Sequence, residues 1–167
     1  MLQLNDLRWK ELTSFFGEAA DIPVAIDKWL VSVGTENEKE VYFEDLFDLF
    51  LHQMTITNAA FAIVPWMMHV CAKRETELRM IYVAHIGAVE AGRIEYGIYY
   101  NRDGTEESPD WLMPEYHLAV RKARDVAREL IQLDNASAVK CGLVAIYPAF
   151  EGNATLAWEQ WCARESA

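Results

Sequence analysis

Apolar residues recur every three to four positions along most of the chain, and that spacing predicts helices. The segment Pro114–Leu133 shows it best. At 100° per residue, Ala119, Val120, Ala123, Val126, Ala127, Leu130, Ile131 and Leu133 share an arc of about 160°. His117, Arg121, Arg124 and Arg128 form a separate basic stripe. About eight helices are predicted in this way. They cover Leu4–Phe16, Asp21 to just before Gly34, Glu38–Leu51, Thr57–Lys73, Thr76–Ala91, Pro114–Leu133, Ser137–Phe150 and Asn153–Ala163. Asn5 or Asp6 is placed to cap the first, Pro23 sits in the first turn of the second, Gly92 ends the fifth, and Asn153 caps the last. Alternation of the strand kind is confined to a short aromatic stretch, Ile94–Tyr100. The longest irregular segment, Gly92–Pro109, contains NRDGTEESPD and is rich in turn formers and acids. No linker divides the chain, so a single all-α domain over residues 1–167 is expected.

Prolines return beside similar apolar text: Pro23 in IPVAIDKWL, Pro65 in AIVPWMMHV and Pro148 in VAIYPAF. The first interval is 65 − 23 = 42 residues and the second is 148 − 65 = 83, close to twice the first. A period near 40 is that of HEAT and armadillo arrays, in which helical hairpins bury their faces by stacking. Pro65 and Pro148 are expected inside helices, where each removes one hydrogen bond and bends the rod.

Leu46–Val70, LFDLFLHQMTITNAAFAIVPWMMHV, resembles the signature of a bacterial family of HEAT-like helical proteins. His52, Gln53, Thr55, Ala59, Ala60, Val64 and Pro65 carry the likeness; Met54 stands where the family usually has Gly. Weaker similarity extends to VAHIGAVEAGRIEYG and CGLVAIYPAFEGNATLAWEQW. The resemblance implies an α-solenoid and a binding role, and it supplies no catalytic residues.

Charge narrows the partner. A formal net charge of −11 repels nucleic-acid phosphate and anionic lipid, so neither is expected to bind. The acid is densest in two places. Six acids face Lys39 between Glu36 and Asp48, and five face Arg102 between Asn101 and Tyr116. Candidate partner-binding residues are therefore Glu40, Glu44, Asp45 and Asp48 in one segment, and Asp103, Glu106, Glu107 and Asp110 in the other. Trp111 beside the second is the best placed of six tryptophans to act as an exposed anchor.

Candidate chemistry is sparse. Glu40, Glu44, Asp48 and His52 repeat every four residues, but one helical stripe gives a metal at most two good ligands. The four histidines form no H-x-x-x-H or H-E-x-x-H pattern, and no G-x-S-x-G, Walker or Rossmann motif occurs. No cofactor is implied. His52, Gln53 and Thr55 are assigned a structural task, closing one helix and capping the next. Three distant cysteines with no C-x-x-C pair, and an N-terminus lacking a basic start and apolar run, lead to an expected cytoplasmic location.

A non-catalytic module that binds a protein is the leading expectation; the acidity suits a basic partner or serves only to keep the molecule soluble. An immunity or antitoxin-like inhibitor of a bacterial toxin fits the small size and the acidity. Two alternatives stay open: a scaffold or regulatory subunit, and a helical enzyme or ligand-binding domain using His69, His85 or His117.

Overall fold

Helical periodicity becomes helix over most of the chain in a computed structural model, which describes residues 1–15, 17–52, 55–95, 110–133 and 137–165. The exception comes first. Leu4–Phe16 is not one helix. A 3₁₀ turn, Leu7–Glu11, starts where the Asp6 side chain accepts the Arg8 N–H, and Leu12 then turns extended. A short strand β1, Thr13–Ser14, follows and pairs antiparallel with β2, Gly17–Glu18. A distant side chain competes for this backbone. Asn58 Oδ1 accepts from the Thr13 N–H at 2.7 Å and from its hydroxyl at 3.1 Å. Trp9 and Leu12 are still buried, as the periodicity requires.

A second 3₁₀ turn, Ala19–Asp21, leads into α1, Ile22–Ser32, with Pro23 in its first turn. Gly34, at φ +89°, turns the chain out of it; an L side chain there would be strained. Residues 38–50 then form one rod in three parts: α2, Glu38–Val41, a π-helical stretch, Tyr42–Phe47, and α3, Asp48–Phe50. The strands β3, Leu51–His52, and β4, Thr55–Ile56, pair antiparallel, Leu51 with Ile56 and His52 with Thr55. His52 and Thr55 thus face each other across a small ladder between helices, and Gln53 lies outside the described residues.

Four longer helices and a last one complete the chain: α4, Ala59–Cys71, α5, Thr76–Glu95, α6, Met113–Ile131, α7, Ala138–Phe150, and α8, Ala154–Glu165. Ser137 caps α7 by accepting the Lys140 N–H, and Asn153 Oδ1 accepts the Leu156 N–H at 3.1 Å at the start of α8. α5 does not end at Gly92 but runs through it to Glu95, with Gly92 buried in the helix. The Ile94–Tyr100 stretch leaves the described residues after Glu95. Pro65 and Pro148 do sit inside helices. Among the described residues the only strands are these two-residue pairs, and the fold is all-α.

α4 is the centre. Every one of its residues except His69 is buried, which explains a run so apolar on all sides. No described helix is long and apolar enough to cross a membrane. α4 packs on α5 and α6, and α5 packs on α7 and α8. Close approach of α5 and α7 depends on Gly87, where an added Cβ would lie 2.8 Å from Ile146 Cγ2. Cys71, at the end of α4, is buried, and burial pushes its thiol up to about 11; Cys141 on α7 is exposed.

Candidate functional site

The rod over residues 38–50 carries two stripes of opposite character. Glu38, Tyr42, Leu46 and Phe50 are buried, while Glu40, Glu44 and Asp48 are exposed. Both stripes repeat every four residues. An ideal α-helix of this length overshoots three whole turns by about 120°, so such stripes would wind around the rod. A π turn takes about 4.4 residues, and the stretch Tyr42–Phe47 removes most of that rotation. One stripe therefore stays against the core, and the three acids stay in line on the outside.

The inner stripe is a network. Glu38 Oε2 accepts from the Gly34 N–H at 2.6 Å and from Arg74 Nη1 at 3.1 Å, and Oε1 accepts from the Tyr82 hydroxyl at 2.9 Å. Trp29 Nε1 donates to the same Tyr82 oxygen at 3.2 Å. Burial holds the Tyr82 and Tyr42 hydroxyls well above their ordinary range. Tyr42 Oη lies 2.8 Å from His85 Nδ1, and the rings of Phe47 and Phe43 lie 4.5 Å and 5.6 Å from the His85 ring. Desolvation among these rings lowers the imidazole to about 3 and keeps it neutral.

The outer stripe has no such partners. Among the described residues, Glu40, Glu44 and Asp48 form no ion pair. Asp45 differs from the other three, because Lys28 of α1 holds it at 2.6 Å. That pair brings α1 alongside. Val24 and Val31 flank Lys28 on the same helical face and are 70% and 77% exposed, so the helix that Asp45 pairs with also presents apolar surface to water.

The second acidic segment is less complete. Asp103, Glu106 and Glu107 lie outside the described residues. Asp110 is exposed, but Trp111 is partly buried against the core, and the Arg8 guanidinium stacks 4.6 Å above its ring. An exposed anchor at Trp111 is therefore not what the fold builds. Arg8 also accounts for Asp6, whose carboxyl its hydrogen bonds hold down at about 2.

The histidines are dispersed. His52 is exposed and meets the Phe15 ring at 5.8 Å, His69 is exposed on α4, His85 is part-buried among aromatic rings, and His117 abuts Tyr116. Among the described residues no group of three or more His, Cys, Asp or Glu could hold a metal.

A groove runs between α4 and α6, about 620 Å³ in volume. Pro65, Met68, Leu118 and Ala119 are among its apolar lining, with His69, Lys73, Lys122, Glu115 and Asp125 at its edges. Neither this groove nor the buried acids Glu38 and Glu90 was singled out from the sequence. Glu90 accepts from Arg93 Nε and Nη2, at 2.7 and 2.8 Å, and from the Tyr116 hydroxyl at 2.7 Å. A signal for Glu38 was present, since it lies four residues before Tyr42 and in phase with Leu46 and Phe50.

No protein-family model, curated protein or solved structure matches the chain.

Proposed function

We propose that this all-α chain is a non-catalytic, HEAT-like module that binds a basic protein through the outer face of residues 38–50 and the adjoining face of α1. The observation that carries the reading is the line of three exposed carboxylates, Glu40, Glu44 and Asp48, which pair with no cation among the described residues, on a rod joined through Asp45 and Lys28 to a helix that exposes Val24 and Val31. Such acids repel one another, and a cationic partner relieves that repulsion while steering its own approach. The valines supply apolar area that charge alone lacks. An inhibitor of a basic bacterial toxin is the specific form favoured by the small size and the acidity.

Affinity purification from the native host with mass spectrometry would identify the partner. Its association rate should fall as salt rises and should fall again in the Glu44→Lys/Asp48→Lys variant. A partner whose rate ignores both changes would refute the acidic-face reading.

A further inference from the structure

The groove between α4 and α6 differs in sign from the rest of the molecule. Its two carboxylates are already engaged: Glu115 pairs with the Met1 ammonium at 2.7 Å, and Asp125 with Arg124 at 3.6 Å and Arg128 at 3.9 Å. Its two lysines are not. Lys73 and Lys122 are exposed and form no ion pair among the described residues, and exposed His69 stands on the same edge. On a chain of net charge −11, this is a local cationic rim around an apolar floor.

Its shape follows the two helices. Phe61 meets Tyr116 ring to ring at 4.6 Å, and further along Ala72 and Lys73 share the groove with Lys122 and Val126. The helices thus run side by side in the same direction. From Glu115 to Val126 the floor extends about 17 Å, or about three helical turns. Ala72 and Ala119 keep it low, while Leu118 is 43% exposed. A ridge of side chains from a third helix fits such a furrow.

We infer that this groove docks an acidic amphipathic helix of about three turns from a partner protein, with Lys73 and Lys122 pairing its acidic flank. The occupant sets apolar residues at i, i+3 or i+4, and i+7 onto Met68, Leu118 and Val126. This surface is separate from the acidic face of residues 38–50 and takes a partner of opposite charge, so either can fail alone.

The test is selection of a display library of helical peptides about 14 residues long on the full chain, followed by fluorescence anisotropy of the best binder. Enriched sequences should carry acids beside an apolar i, i+3/i+4, i+7 stripe. Lys73→Glu/Lys122→Glu should weaken that peptide at least about tenfold, and Leu118→Asp should do the same, whereas Glu44→Lys/Asp48→Lys should leave it unchanged. Both groove variants change exposed positions, and circular dichroism should show the parent helix content. The inference is overturned if nothing is enriched, if basic peptides are enriched, or if the groove variants bind as the parent does. It is also overturned if sedimentation shows a dimer that Lys73→Glu/Lys122→Glu dissolves, because the occupant is then a second copy.

Discussion

Glu38 and Glu40 stand two residues apart on one rod and meet opposite surroundings. Glu38 points into the core and is met by an arginine, a tyrosine hydroxyl and a backbone N–H. Glu40 points to water and is met by nothing else described. The difference shows how to separate structural charge from available charge. A buried carboxylate is tolerated only when every oxygen is satisfied, so its charge is spent inside the fold. An exposed carboxylate asks for no partner, and its charge remains for use elsewhere. Counting acids along the sequence adds the two together. Of the six between Glu36 and Asp48, Glu38 is enclosed and Asp45 is held by Lys28. What remains for a partner is narrower and better aligned than the count suggested.

The largest test of the contrast is removal of each acid. Glu38→Ala strands Arg74 and Tyr82 inside the fold and should cost about 3 kcal/mol or more, whereas Glu40→Ala should change stability by less than about 0.5 kcal/mol. Urea unfolding of the two variants measures this, and equal losses would erase the distinction between the stripes. Tyr82→Phe removes one donor to Glu38 and leaves the ring, so it should cost about 1–3 kcal/mol by the same measurement.

Acidity probes the other end of the inner network. His85 is neutral in the fold because its environment lowers the imidazole to about 3, against an ordinary value of 6.5. The unfolded chain therefore binds a proton first as pH falls. The stability tied to this ring is complete above about pH 6.5 and is lost progressively on acidification toward 3. Part of the residue is still reached by water, so the loss between pH 7 and 4.5 should be on the order of 1–2 kcal/mol. Subtracting the profile of His85→Gln isolates it from the carboxylates, and identical slopes in the two proteins would refute it. The smallest effect belongs outside: Glu44→Lys/Asp48→Lys should shift stability by no more than about 0.5 kcal/mol in either direction, because exposed charges interact weakly through water. A thermal melt at two salt concentrations checks that.

The helices from α1 onward were legible because periodicity and caps agree over long stretches, although Gly92 lies inside α5 and does not end it. Asn153 and Ser137 do what their side chains allow at a helix start, and Pro23 sits where a missing N–H costs little. The first segment misled because Trp9 and Leu12 have helical spacing, while the contact that bends the chain comes from Asn58, forty-five residues away. Nothing local announces it. The acidic face was legible in composition but not in membership. A four-residue period looks helical either way, and it takes a π turn to hold such a period straight. The groove was invisible because its two walls come from helices far apart in sequence.

The buried thiol gives the molecule a clock of its own. A thiol held at about 11 is almost wholly protonated at neutral pH and is shielded by the ends of α4 and α5, so Cys71 meets an alkylating reagent only when that corner opens. Exposed Cys141 reacts regardless and serves as the internal reference. The ratio of their modification rates reads the local opening of the central hairpin directly, without unfolding the protein. Cys71 lies two residues from Lys73, so a ligand seated in the groove should slow that clock.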